Sequence, residues 1–167
     1  MEHQPIKKLI LLAGPTAVGK TSFAIQVAKY FNTEIISCDS RQIYKELNIG
    51  VARPNEKELS EVKHHFIHHK SVLDEYSVGD FEREALSVLE SLFKSNNVVV
   101  LVGGSGLYID AILKGLDTFP KIEKSIREQL NKDLKTSGLL SLQNKLKVLD
   151  RISYEKIAID NPHRVIR

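Results

Sequence analysis

The sequence predicts an α/β protein in which helices flank a parallel sheet, followed by a small helical domain. Three short apolar runs, Lys8–Ala13, Glu34–Cys38 and Val98–Val102, are typical of strands buried on both faces. Helical patterns lie between these runs, and strands that alternate with helices favour a parallel sheet. From about Pro120 glycine becomes rare and aromatic residues nearly vanish, which predicts polar helices.

The composition is that of a folded domain. With 167 residues, 42% hydrophobic and 27% charged, the chain can bury one core, and disordered or fibrous classes are excluded. The net charge of +3 is compatible with a polyanionic partner without demonstrating one. Cys38 is the single cysteine, which favours a reducing compartment. Without a signal-peptide pattern or an apolar run long enough to cross a bilayer, we expect a cytoplasmic protein with no membrane contact. The sequence leaves the oligomeric state open, and a monomer is the working expectation.

The first strand leads into a phosphate-binding loop. Residues 14–21 have the spacing G-x-x-x-x-G-K-T, in which backbone N–H groups and a helix N-terminus converge on an anion. Lys20 adds a positive charge, and the Thr21 hydroxyl is suited to bind Mg²⁺. Apolar residues at helical spacing predict a helix from Lys20 to Phe31. The expected fold is therefore P-loop NTPase-like, with a ligand held by Gly14, Pro15, Thr16, Ala17, Val18, Gly19, Lys20 and Thr21.

The second strand ends at Asp39, at the sheet edge where α/β proteins bind ligands. Two interpretations of Asp39 are open. It can cap a short helix predicted over residues 41–47, or its carboxylate can accept a proton from a nucleophile or hold a metal. Residues 48–60 are predicted to form a loop.

A capping box at Ser77 and Asp80 predicts a helix that ends at Asn96-Asn97. The third strand then runs into Gly103-Gly-Ser-Gly106, a second glycine-rich turn, and a helix is expected over residues 107–114. Ser105 can cap this helix, or its hydroxyl can face the same cavity as Asp39.

Four histidines, His64, His65, His68 and His69, form a dense cluster in the sequence. They suggest a metal site, but no cysteine flanks them and no H-E-x-x-H pattern is present. A role in a loop or in packing is the favoured interpretation.

The C-terminal part is predicted to contain two or three helices over residues 121–160, broken at Ser137-Gly138 and at Asp150. Pro162 is expected at the first position of another helix. Because the sequence stops within this helix, we expect it to be a piece of a longer protein. The predicted division is a P-loop core over residues 1–118, a partial helical insertion over 119–160 and the start of a further core helix over 161–167.

Five segments in order resemble one family, the tRNA dimethylallyltransferases, also called tRNA isopentenyltransferases. The segments are Gly14–Thr21, Ser37–Tyr44, Asn48–Pro54, Gly103–Tyr108 and Asn161–Arg167. The resemblance implies transfer of a dimethylallyl group from dimethylallyl diphosphate to the exocyclic N6 amine of adenosine at tRNA position 37. Diphosphate is released, and Mg²⁺ is the expected cofactor.

The resemblance also implies roles for individual residues. The loop would hold the diphosphate as a leaving group, with Lys20 and a Thr21-bound Mg²⁺ offsetting its charge, while Asp39 takes the amine proton and Ser105 supplies a hydrogen bond. The helices after residue 118 resemble an insertion that grips the anticodon stem. Contacts with tRNA are expected from Asp39, Ser40, Arg41, Gln42, Ser105, Arg127, His163, Arg164, Val165, Ile166 and Arg167.

Two other functions are compatible with parts of the sequence. A small-molecule or nucleotide kinase would use the same phosphate loop, with the helical segment as a lid. A phosphate- or RNA-binding protein without catalysis would need only the loop and the basic residues.

Overall fold

The computed structural model describes residues 6–117 and 122–167. The chain forms two compact units, Met1–Asp117 and Thr118–Arg167. The predicted domain boundary at residues 117–120 lies almost entirely outside the described residues.

A four-stranded parallel sheet forms the first unit. Its strands are in the order β1-β4-β2-β3, and in register Ile10 pairs with Val100 and Ile36 with Leu101. The predicted α/β class is confirmed. The strands are β1 (Lys8–Ala13), β2 (Ile35–Ser37), β3 (His64–His65) and β4 (Val98–Gly103).

Four helices accompany the sheet. The predicted capping box is present, because the Ser77 side chain accepts from the Asp80 N–H and the Asp80 side chain accepts from the Ser77 N–H. The helices are α1 (Lys20–Tyr30), α2 (Glu56–Glu61), α3 (Val78–Ser95) and α4 (Gly106–Lys114).

The core has two clusters. In the larger one the Phe81 ring is fully buried, stacks on Tyr108 at 4.5 Å between centroids and meets Phe66 edge-on at 5.1 Å. In the other, small residues of α1 such as Ala24 and Ala28 pack with strand residues. Because these side chains of α1 are small, the helix lies close to the strands, and the loop before it is fixed at the sheet edge.

Two predicted elements are wrong. Residues 41–47 form turns rather than a helix, because their backbone bonds to residues 68–70 instead. The Ile43 carbonyl accepts from the N–H groups of His69 and Lys70 at 2.7 and 3.0 Å. The predicted loop 48–60 contains the start of α2, since Asn55 and Glu58 form a reciprocal capping box.

Three helices make up the described part of the second unit, α5 (Lys124–Leu149), α6 (Arg151–Lys156) and α7 (Pro162–Ile166). The predicted breaks are confirmed, because Gly138 is non-helical with φ 76° and Asp150 separates α5 from α6. Pro162 occupies the first position of α7, after the Asn161 cap. No described helix of the chain has the length and hydropathy of a membrane span.

Candidate functional site

A cavity of about 320 Å³ opens at the carboxyl edge of the sheet in the first unit. The phosphate loop, the segment after β2 and the end of β4 all contribute to its walls, as expected for parallel strands that end at one edge. It brings together seven of the predicted site residues: Thr16, Ala17, Gly19, Lys20, Thr21, Asp39 and Gln42. We refer to it as the strand-edge cavity.

The phosphate loop lies at one wall of this cavity. Gly19 has φ 84°, a left-handed conformation that glycine adopts without strain, and Ala17 is also left-handed at φ 67°. Gly19 precedes α1 and has no side chain to cap the helix, so the first-turn N–H groups are free of a competing cap. The Lys20 Nζ donates to the Pro15 carbonyl at 2.5 Å, which places the ammonium over the loop. Both features favour an anion here.

Asp39 holds a turn rather than the predicted helix, and its role as a proton acceptor or metal ligand stays a prediction. Its Oδ1 accepts from the N–H groups of Arg41 at 2.9 Å and Gln42 at 3.4 Å, so the carboxylate holds the turn that follows β2. It also lines the strand-edge cavity. Within the described residues, Oδ2 takes no hydrogen bond, which leaves one carboxylate oxygen for a ligand.

Burial, with a further contribution from the nearby Asp39 carboxylate, raises the pKa of the Cys38 thiol to about 12, so this thiol is not a nucleophile.

The turn after β4 lies against the end of β2. A Cβ on Gly103 would lie 2.1 Å from the Cys38 carbonyl oxygen, so only glycine fits at this position. Two residues later, Ser105 accepts at Oγ from the Ser40 N–H at 2.9 Å and donates to the Ser40 Oγ at 3.2 Å. These contacts join the two loops at the sheet edge.

Ser105 differs from both predicted interpretations. It occupies the N-cap position of α4, but its side chain makes no capping hydrogen bond. It is also absent from the residues that line the strand-edge cavity, because Ser40 engages its hydroxyl. In this structure Ser105 connects loops, and a direct contact with a substrate stays a prediction.

Sequence reasoning missed three ionisable residues of the cavity wall, Arg53, Glu58 and His64, besides Ser22 and Ser37. These three come from the segment predicted to be a loop and from the histidine cluster, where no pattern indicated which side chains would face a ligand. Gln42 also lines the cavity and donates from Nε2 to the carbonyls of Val51 and Ala52 at 3.0 and 3.1 Å, and its contact with tRNA stays a prediction. These hydrogen bonds of Gln42 fix the backbone next to Arg53, in the part of the cavity wall that was not predicted.

Each of the four histidines has its own neighbour. Within the two described ranges, no group of three His, Cys, Asp or Glu side chains is placed to hold a metal ion. Burial lowers the pKa of His64, whose Nδ1 lies 2.8 Å from the Val62 carbonyl and therefore carries the proton. The other pairs are His65 with Glu34, His68 with Arg53 and His69 with Glu84.

The predicted tRNA-binding residues of the second unit lie on α5 and α7. Arg127 and Arg167, far apart in sequence, line one cavity of about 360 Å³ together with apolar residues such as Leu130. His163 and Arg164 are exposed on α7, and Val165 and Ile166 are half-buried. Their contact with tRNA stays a prediction.

Comparison with protein families gives one match over most of the chain. The family model described as IPP transferase matches residues 42–167. A tRNA dimethylallyltransferase from Christiangramia forsetii is 55% identical over 159 residues, which cover 95% of this chain and 53% of the relative. The enzyme of the same name from Flavobacterium johnsoniae is 51% identical over 157 residues, covering 94% and 51%. The chain spans about half the length of these relatives.

Solved structures agree with the predicted fold. A tRNA isopentenylpyrophosphate transferase from Bacillus halodurans superposes with a TM-score of 0.64 at 34% identity, covering 96% of this chain and 54% of that one. A eukaryotic dimethylallyltransferase acting on tRNA gives a TM-score of 0.80 at 29% identity, with 96% and 40% covered.

Proposed function

The chain belongs to the IPP transferase family, and from that premise we propose that it forms the donor-binding and proton-accepting part of a tRNA dimethylallyltransferase. The reaction transfers a dimethylallyl group from dimethylallyl diphosphate to the exocyclic N6 amine of adenosine at tRNA position 37. The observation that carries this proposal is the shared cavity of the phosphate loop and Asp39.

In this proposal the phosphate loop binds the diphosphate of the donor. The bond between C1 of the dimethylallyl group and the diphosphate oxygen breaks, and negative charge accumulates on the departing group. Loop N–H groups and Lys20 stabilise that charge, because fixed donors and cations need no reorganisation during the reaction. No phosphoryl group is transferred.

Asp39 acts on the acceptor. As the C1–N6 bond forms, the amine loses a proton, and the carboxylate at the sheet edge accepts it. An aromatic amine is a weak nucleophile, so a base at its N–H increases its reactivity. The adenine must leave its stack to reach the cavity, which costs a few kcal/mol and is easier in a single-stranded loop. A base in the anticodon loop meets that requirement.

The cavity also suits Mg²⁺. Thr21 would hold it through its hydroxyl, with the remaining oxygen ligands supplied by substrate phosphates and water, as is typical for this ion. Bound Mg²⁺ supplies further charge neutralisation for the diphosphate.

For the second unit, we propose contact with the anticodon stem-loop. Arg127 and the segment from His163 to Arg167 carry basic side chains, which bind phosphates of nucleic acids. Ser40 and Arg41, next to Asp39, would contact the tRNA at the first unit. A monomer in the cytoplasm fits this function.

A direct assay tests the proposal. The complete gene product that contains this chain is incubated with tRNA and labelled dimethylallyl diphosphate, and label is expected at the N6 amine of adenosine 37. Asp39→Asn should lower kcat about 10²- to 10⁴-fold, the usual contribution of general base catalysis, with the KM for the donor unchanged. Asp110→Asn, on the exposed face of α4, is the matched control. Phosphate transfer from ATP to a small acceptor, without prenyl transfer, would favour a kinase instead.

A further inference from the structure

Arg53 is a cation on the wall of the strand-edge cavity for which the proposed mechanism has no role. It lines the same cavity as Lys20 and Thr21. Several other cations of the first unit pair with carboxylates, including Lys29 with Glu61 and Arg83 with Asp80. In the part of the chain that the structure describes, no carboxylate pairs with Arg53.

The partner of Arg53 is a histidine. Its Nη1 contacts the ring nitrogens of His68, 2.9 Å from Nδ1. A guanidinium can only donate hydrogen bonds, so His68 accepts through an unprotonated nitrogen. Burial, and then the neighbouring Arg53 charge, lower the pKa of His68, which favours the neutral ring. His68 therefore orients the guanidinium without neutralising its charge.

A closed set of contacts fixes this arrangement. The backbone N–H of His68 donates to the backbone carbonyl of Gln42 at 3.1 Å. The Gln42 side chain donates to the carbonyls of Val51 and Ala52, directly before Arg53. Ala52 is left-handed at φ 45°, an uncommon conformation for alanine. The three segments hold one another, and Gln42, Ala52 and Arg53 all line the cavity, with Arg53 as the cation among them.

Neither acidic residue described on the cavity wall, Asp39 or Glu58, pairs with Arg53. Glu58 accepts at Oε2 from the Asn55 N–H at 2.8 Å as part of the α2 capping box. Asp39 accepts at Oδ1 from the turn after β2. The guanidinium has five N–H donors in a planar fork, and contact through Nη1 leaves donors for an anion with paired oxygens.

We infer that Arg53 is a second cationic ligand of the donor diphosphate, in the same cavity as the phosphate loop, and that His68 and Gln42 position it. This inference rests on the proposed function, and it adds a residue outside the loop to the binding of the diphosphate. Two cations from separate segments would hold both the bound donor and the leaving diphosphate.

Binding of inorganic diphosphate in Mg²⁺ buffer, measured by calorimetry on the complete gene product, tests the inference. Arg53→Gln should weaken binding about ten- to hundredfold, the usual effect of losing a hydrogen bond to a charged group. Arg53→Lys keeps the positive charge but loses the planar set of guanidinium donors. Its affinity for diphosphate should therefore lie between those of the wild type and Arg53→Gln. Arg83→Gln, at an arginine of α3 that pairs with Asp80, should bind as the wild type does. Thermal unfolding of each variant checks that the fold is intact.

A double-mutant cycle tests the role of His68. His68→Ala should weaken diphosphate binding on its own, but Arg53→Gln with His68→Ala should bind no more weakly than Arg53→Gln alone, because His68 acts through Arg53. Additive losses in the double variant would overturn the positioning role.

The controls separate failure of this inference from failure of the proposed function. If the wild type binds diphosphate and Lys20→Ala weakens binding while Arg53→Gln does not, the Arg53 inference alone is wrong. A rise in the KM for tRNA with diphosphate binding unchanged in Arg53→Gln would likewise overturn it. If the wild type binds no diphosphate, the donor site itself is wrong, and the inference fails with it.

Discussion

The two units of this chain differ in how many of their apolar side chains are buried. In the first unit, β4 is buried from Val99 to Gly103 and aromatic rings pack beneath it. In the described part of the second unit, Leu142 is the only fully buried residue. Large apolar side chains there are exposed, such as Val148 at 85% and Ile152 at 67%.

This difference in burial indicates which of the two units can support a catalytic site. A cavity that must hold a diphosphate and a base in fixed geometry needs supporting side chains that are themselves locked by packing. The first unit offers that support, because strands, caps and a glycine contact fix the loops at the sheet edge. The helices of the second unit depend mainly on local signals such as caps, which suits a contact surface better than a catalytic centre.

The largest expected effect comes from Gly103→Ala. The added Cβ would lie 2.1 Å from the Cys38 carbonyl oxygen, so β2 and β4 must separate at the cavity. We expect a loss on the order of 4 kcal/mol or more in the free energy of unfolding, measured by urea denaturation. Gly106→Ala, whose Cβ would have no neighbour within 4 Å, is the control. A Gly103→Ala protein of wild-type stability would refute this account of the sheet edge.

Core truncations compare the two units directly. Phe81→Ala removes a fully buried ring and should cost about 3–5 kcal/mol, with loss of diphosphate binding as the first unit unfolds. Leu142→Ala should reduce the helical circular dichroism of the second unit and leave diphosphate binding intact. If Leu142→Ala abolished binding, the two units would not be independent in stability.

Removing a helix cap should cost a similar free energy in each unit, but only in the first unit should it lower the stability to global unfolding. Ser77→Ala removes the cap of α3 and Asn161→Ala the cap of α7, each at about 1 kcal/mol. In the first unit this loss should appear in global unfolding, because α3 packs on the core. In the second unit hydrogen exchange should report fraying confined to α7. Equal global destabilisation by both substitutions would contradict the difference between the units.

The smallest expected effect is a pH dependence in the first unit. Burial lowers the pKa of His64 below its ordinary value of 6.5, so the unfolded chain takes up the proton first as pH falls. The stability that His64 contributes is therefore complete above pH 6.5 and is lost as pH drops through the lower folded-state pKa. Urea denaturation of the wild type and His64→Gln at several pH values should show that their difference in unfolding free energy changes below pH 6.5. A difference that stays constant would be inconsistent with a buried neutral imidazole.

Several features could be predicted because neighbours in sequence decide them. The phosphate loop, the Ser77 capping box and the break at Gly138 each depend on a few adjacent residues, and the structure contains all three. The helix predicted over residues 41–47 failed because distant backbone groups at residues 68–70 compete for its hydrogen bonds. Helix propensity depends on residues close in sequence, so it does not take hydrogen bonds to distant backbone groups into account.

The sequence by itself determined the chemical groups and their order: a loop with the phosphate-binding pattern, a carboxylate after the second strand and five motifs of one family. The tertiary structure alone decided which side chains face the cavity. It engages the Ser105 hydroxyl with Ser40 and brings Arg53 into the cavity wall. The physical reason is that these placements depend on hydrogen bonds between segments far apart in sequence, and sequence patterns record only periodicity and neighbouring residues.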